Sequence, residues 1–114
     1  MWRDDALLLD ILLAADDASD FVRGLDWPAF QASKLHQNAV IRSIEIIGEA
    51  AGKISAPYKV LHPEVPWRLM ADMRNRLIHG YAEVRMDLVW DVARRHLPTL
   101  TEAVRPLVPP DLKS

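Results

Sequence analysis

The chain has 114 residues, half of them hydrophobic, with no cysteine and a formal net charge of −2. This length fits one compact domain, and the composition favours an ordered helical protein over a disordered one. The lack of cysteine excludes a disulfide framework and a thiolate metal site. The charge argues against a protein that holds nucleic acid through a broad basic surface. We therefore expect a single domain over residues 1–114.

The first 25 residues carry no targeting or membrane signal. They lack the basic start and the cleavage site of a signal peptide, and the apolar run from Leu7 to Ala15 is interrupted by Asp10 and too short to span a bilayer. We expect a soluble, cytoplasmic protein with no membrane partner.

Two long helices are predicted in the first half of the chain. From Asp4 to about Arg23, apolar residues recur at steps of three and four, which is the spacing of one helix face: Leu7, Ile11, Ala14, Ala18, Phe21 and Leu25. Gly24 fits a helix end, and Asp26 is placed to cap a second helix. That helix repeats the pattern with Phe30, Gln37, Val40, Ile44, Ile47, Ala51 and Ile54. The short turn predicts antiparallel packing.

Gly48 lies beside the second stripe and has two interpretations. A glycine here could let another helix approach closely, or it could be a tolerated small residue that costs roughly 1 kcal/mol relative to alanine. The sequence alone does not distinguish these two interpretations of Gly48.

Prolines divide the second half of the chain. Those at 57, 63 and 66 predict a connector over 55–66 with at most a short helical turn. A third helix should start at Pro66-Trp67, run to Ile78 or His79 and stop at Gly80. A last helix starts near Arg85, with Pro98 marking a kink or a break, and an irregular tail begins at about 106. The fold class predicted is all-α, an up-and-down bundle of four to five helices.

The third helix ends in the segment with the most chemical content, RNRLIHGY over 74–81. Arg74 could hold a phosphate and neutralise charge developing on it, because a guanidinium binds phosphate through paired hydrogen bonds. His79 titrates near neutral pH and could transfer a proton. On an ideal helix the two residues lie about 140° apart, so one straight helix does not aim both at one atom. Either the helix ends at His79, or a second subunit completes the cleft.

The same residues also have structural interpretations. Arg74 lies on the apolar side of its helix and could form an ion pair, His79 could be a helix-end histidine, and Tyr81 could be a half-buried anchor. Glu45 and Glu49 form either a solvated face, which we favour, or a partner for Arg74 or Arg76. The other histidines, at 36, 62 and 96, are best explained as surface residues, because none has a second ligand at metal-binding spacing.

The segment resembles the RxxxxHxY signature of HEPN-domain proteins, and its surroundings resemble the HepT-like toxin branch. The similar stretches run in the family's order from about residue 4 to 105: DIL at 10–12, AVIR at 39–42, IIGEA at 46–50, VPW at 65–67, MRN at 73–75 and LVW at 88–90.

This resemblance implies a homodimeric HEPN bundle with ribonuclease activity and with no metal or other cofactor. Arg74 would contact the scissile phosphate, His79 would be the acid and base, and Asn75 would be the polar residue after the motif arginine. The ribose 2′-hydroxyl would attack the phosphorus and leave a cyclic phosphate, a reaction that RNA allows and DNA does not. Arg68 and Arg76 would add to a local basic cleft.

Members of this branch act as toxins beside an MNT-type nucleotidyltransferase antitoxin, which resembles enzymes that adenylylate a tyrosine of the motif. The matching residue is Tyr81, and a nucleotide there would crowd the cleft and repel RNA. The competing hypothesis is a non-catalytic HEPN module that binds a nucleotidyltransferase partner or its nucleotide.

Overall fold

Helices form nearly all of the regular structure of this chain, for which a computed structural model describes residues 2–78 and 85–113, except the side chains of 2, 76–78 and 113. The α-helices are α1 (Trp2–Val22), α2 (Trp27–Gln31), α3 (Lys34–Lys53), α4 (Ala56–Leu61), α5 (Trp67–Ile78), α6 (Met86–Asp91), α7 (Leu97–Val104) and α8 (Pro110–Lys113). The described residues contain no strand, so the predicted all-α class is confirmed. Four long units, α1, α3, α5 and α6–α7, make the bundle, and the remaining helices are short.

The first two long helices, α1 and α3, pack side by side in opposite directions. Asp4 at the start of α1 accepts hydrogen bonds from Ser55, which follows the end of α3, with its two carboxylate oxygens 2.9 Å from the backbone nitrogen and 2.6 Å from the hydroxyl. The predicted antiparallel arrangement is therefore correct. The predicted stripe was wrong at its end, because Val22 is buried while Phe21 is 36% exposed.

The second predicted helix is in fact two helices, because the helical conformation is interrupted between Gln31 and Lys34. Ser33 caps α3 by accepting a hydrogen bond from the backbone of His36 at 3.2 Å. The buried side-chain amide of Gln37 donates to the carbonyl oxygens of Phe30 at 2.9 Å and Gln31 at 2.8 Å. Gln37 thus binds the last carbonyls of α2, and it is buried for this polar reason and not as part of an apolar stripe.

Prolines shape the other connections. The connector contains the short helix α4, with Pro57 in its first turn, which agrees with the prediction of a short helical turn. The tail is more regular than predicted, since a 3₁₀ turn over Arg105–Leu107 is followed by α8. Val108 between them is only 1% exposed, so packing against the core holds this segment in place.

The last long helix continues past Pro98 through a π-helical turn, Val92–His96. Proline has no N–H and its ring collides with the carbonyl four residues earlier, so an α-helical path is costly there. The π-helical turn accommodates the proline, because the backbone N–H of Leu97 donates to the carbonyl of Val92, five residues earlier instead of four. The predicted interruption at Pro98 is therefore a bulge inside a continuous helix.

One hydrophobic cluster lies between the long helices, with α3 packed against both α1 and α5. Among the described side chains of α5, Met70 and Met73 belong to this cluster, at 0% and 5% exposure. No helix in the described part of the chain is both long and apolar enough to cross a membrane.

Candidate active site on helix α5

The start of α5 is fixed by a small aromatic cluster. The indole nitrogen of Trp67 donates to the carbonyl oxygen of His62 at 2.9 Å, and its ring meets that of Tyr58 edge-on at 6.1 Å. The Tyr58 and His62 rings lie 4.5 Å apart, and His62 also bonds Glu64 at 3.0 Å. His62 thus has a structural role, which refines the expectation of an incidental surface histidine.

Arg74 lies at a close contact between α5 and α3. A Cβ atom built on Gly48 would lie 2.6 Å from Cβ, 2.9 Å from Cδ and 3.2 Å from Cγ of Arg74. The residue is nevertheless exposed. Its aliphatic stem therefore lies on the α3 backbone while the charged end faces solvent, as long cationic side chains do at the edge of apolar surfaces. Of the two interpretations of Gly48, the structure supports close helix approach.

We also considered a structural role for Arg74 in an ion pair. The described residues give no support for that role. None of the ion pairs within 2–78 and 85–113 involves Arg74. Glu49 instead pairs with Lys53 one turn along α3 at 3.3 Å, and both side chains are about half exposed, at 51% and 53%. Glu49 is thus part of a solvated face, as predicted.

The other predicted site residues divide into two groups. Asn75 is exposed beside Arg74 near the end of α5. The backbone of Arg76 belongs to α5, but its side chain lies outside the described residues. His79, Gly80 and Tyr81 also lie outside them, so the roles assigned to the histidine and the tyrosine stay predictions.

On the opposite flank of α5, a groove of about 220 Å³ separates it from α6 and the π-helical turn. Its lining residues are Leu69, Asp72, Met73, Leu88, Asp91, Val92 and His96. At about 100° per residue, Asp72 lies about 160° and Leu69 about 140° around the helix from Arg74, so the groove and the arginine occupy different sides of α5. The fold does not bring His96 and Arg74 together.

This groove could not be predicted from local sequence patterns, because Asp91 and His96 are brought together by the π-helical turn. His96 Nε2 lies 3.5 Å from Asp91 Oδ2, and Asp91 Oδ1 accepts a hydrogen bond from Arg95 at 3.0 Å. Residues five apart are not neighbours on a regular α-helix, and the wider turn is what aligns them. The carboxylates of Asp72 and Asp91 make the groove unfavourable for a phosphate backbone.

No group of three or more histidines and carboxylates in the described ranges is arranged to hold a metal ion.

Comparison with known proteins places this helical bundle in a defined family. The family model described as "Ribonuclease HepT-like" matches residues 11–107, and the chain belongs to this family, which is part of the HEPN superfamily. The predicted HEPN resemblance is confirmed.

Several relatives are similar along most of their length. A protein of Thermococcus cleftensis named "Probable ribonuclease HepT" is 43% identical over 93 residues, 82% of this chain and 84% of the relative. A candidate RNase of Methanocaldococcus jannaschii is 37% identical over 99 residues, 87% of this chain and 91% of the relative. A second candidate RNase of that organism is 34% identical over 103 residues, covering 90% and 85%. No solved structure matches the chain.

Proposed function

We propose that this protein is a metal-independent RNA endonuclease whose active site is built around Arg74 and His79. The observation that carries the proposal is the placement of Arg74: it is exposed, in no ion pair with the described residues, and seated at the α3–α5 contact five residues before His79. Membership of the HepT-like ribonuclease family and the names of the relatives support the same activity.

The proposed reaction is an internal transesterification. The ribose 2′-oxygen loses its proton to His79 and bonds to the adjacent phosphorus, while the bond from phosphorus to the 5′-oxygen breaks. The leaving 5′-oxygen takes up a proton, and the products are a 2′,3′-cyclic phosphate and a 5′-hydroxyl. Arg74 neutralises the charge that develops on the phosphate oxygens, and this requires an exposed guanidinium with free donors.

Two subunits would supply the two proton transfers. A single histidine that accepts the first proton must return it before the leaving group departs, whereas two copies of His79 across a two-fold axis act as base and acid at once. Asn75 and Arg76 would contribute hydrogen bonds and charge to the RNA backbone near the scissile phosphate.

In the cell this activity would be that of a toxin held in check by an MNT-type nucleotidyltransferase. The proposed mechanism of control is adenylylation of Tyr81, which would add a bulky group and negative phosphate charge two residues from His79. RNA would then be excluded by volume and by like charge. Mass spectrometry of the parent and of Tyr81→Phe, each coexpressed with an MNT-type nucleotidyltransferase, tests this directly.

Matched RNA and DNA oligonucleotides provide the test of the reaction. In excess chelator, the parent should cleave the RNA and leave intact both the DNA and an RNA with 2′-O-methyl groups throughout. The fragments should carry cyclic phosphate ends. Cleavage of the DNA, or activity that disappears with chelator, would contradict the mechanism. No cleavage of any substrate, combined with binding to a nucleotidyltransferase or its nucleotide, would favour the non-catalytic module.

A further inference from the structure

The contact between α3 and α5 depends on the absence of a side chain at one position. Gly48 is buried, and a Cβ on it would approach the Arg74 side chain to 2.6 Å, closer than real Cβ contacts come. Gly52, one turn further along the same helix, would place a Cβ within 4 Å of no atom. The two helical glycines are therefore different, and only the first is required by its neighbour.

The atoms that Gly48 faces are those that set the direction of Arg74. Cβ, Cγ and Cδ form the stem of the side chain, and all three are within 3.2 Å of the position that a Cβ would take. A rotamer change can move Cγ and Cδ, but it cannot move Cβ, which is fixed to the backbone of α5. A side chain at position 48 therefore forces α5 itself to move, in addition to turning the arginine away from α3.

We propose that Gly48 is a positioning residue for Arg74, fixing the path along which the guanidinium reaches the scissile phosphate. This inference rests on the proposed ribonuclease function. Seating the stem on a bare backbone removes part of the rotational freedom of a flexible side chain and directs its end to one place at the edge of the α3–α5 contact. Misplacement of a catalytic group by about 1 Å can reduce a rate roughly 100-fold, so a displaced stem should be costly.

Met70 and Met73 also hold α5 in the core, where both side chains are buried. A small shift at Gly48 can therefore change the aim of the arginine while the bundle stays folded.

The chain supplies its own control for the test. Gly48→Ala and Gly52→Ala introduce the same methyl group into the same helix. Gly52→Ala should keep kcat within about twofold of the parent and unfold at the same or a higher temperature, because alanine favours helix and meets open space there. Gly48→Ala should stay helical but lower kcat about 10- to 100-fold with a smaller change in KM.

A double-mutant cycle with Arg74→Gly separates positioning from general packing. Arg74→Gly removes all three stem atoms, so the added methyl of Gly48→Ala should then lower neither the residual cleavage rate nor the midpoint of denaturation any further. A further loss of either in that background would show that Gly48 acts on the bundle and not on the arginine. If Gly48→Ala alone is too unstable for kinetic measurements, the same double-mutant cycle can be measured from the midpoints of denaturation.

The two proposals fail in different ways. A parent that does not cleave RNA overturns the proposed function and the positioning role with it. A parent that cleaves, together with a Gly48→Ala variant of equal kcat, overturns the positioning role alone.

Discussion

Asp4 shows how a single buried carboxylate joins the two ends of the α1–α3 pair. It is 3% exposed and accepts both the hydroxyl and the backbone N–H of Ser55, whose oxygen in turn caps α4 by accepting from Tyr58. The hydrogen bond from the Ser55 hydroxyl holds the pKa of Asp4 below its ordinary value, more than offsetting the effect of burial. The charged form is therefore favoured in the folded protein.

We expect Asp4→Asn to destabilise the fold by about 1 kcal/mol or more at neutral pH, because an amide accepts these bonds less well than a carboxylate. A lowered native pKa gives stability that is complete above the unfolded pKa, about 4, and is lost as the pH falls through the native pKa. The difference in the free energy of unfolding between Asp4→Asn and the parent should therefore become smaller below about pH 4. Urea titrations at several pH values measure it.

Asp17→Asn is the matched control for Asp4→Asn, since Asp17 is an exposed carboxylate on the same helix. Equal destabilisation by the two variants at neutral pH would show that the Ser55 contacts contribute nothing.

At the scale of elements, the break between α2 and α3 depends on Gln37. Its amide donates to two carbonyl oxygens at the end of α2, of which that of Phe30 also accepts a hydrogen bond from the backbone of Ser33. Gln37→Leu, of similar volume, should lower the free energy of unfolding by about 1–2 kcal/mol, because it removes two hydrogen bonds and leaves the carbonyl of Gln31 without its side-chain donor. The midpoint of thermal unfolding of Gln37→Leu is compared with that of Asn38→Leu, which lies on the exposed side of α3. Equal midpoints for the two variants would contradict the capping role of Gln37.

The helices themselves follow from the sequence, but several of their boundaries do not. Apolar spacing, Gly24 and Pro66-Trp67 predict α1 and the start of α5, because these signals are local. Ser33 lies in a sequence that also suits a continuous helix, and its capping role appears only when Gln37 folds back on Phe30. The π-helical turn at Pro98 likewise reflects a compromise with the core, which buries Val92, Ala93 and Leu97 around it.

The candidate site divides in the same way. Arg74, Asn75 and His79 were identified by residue type and by resemblance, which need no coordinates. The role of Gly48 and the acidic groove on the other flank of α5 were not, because each depends on the distance between two helices. A sequence shows that a residue is a glycine and does not show what faces it.

At the scale of the whole molecule, the charge distribution limits where RNA can bind. The protein has a net charge of −2, α1 has two acids in its first turn, and the groove beside α5 has two carboxylates. At the proposed site, RNA binding would depend on a few cations around Arg74, so we expect cleavage to weaken as the salt concentration rises. A second subunit would double the cations at the cleft.

We expect the protein to be a dimer in solution, with a mass by light scattering near twice 12.9 kDa. Because a shared cleft uses His79 from both subunits, an excess of His79→Ala added to the parent should reduce cleavage more than dilution does. The same excess of an unrelated protein is the control. A monomer mass at micromolar concentration, or no inhibition after subunits exchange, would remove the shared cleft.

The most direct test of the account is the rate at which a labelled RNA is cleaved in excess chelator by the parent, Arg74→Ala, His79→Ala and Arg23→Ala. Arg23 is an exposed arginine just after α1 that pairs with Asp20, so its removal controls for lost charge. We predict loss of at least about 100-fold for the first two variants, with retained helix content, and a near-parental rate for Arg23→Ala. Equal rates in all four proteins would contradict an active site at Arg74 and His79.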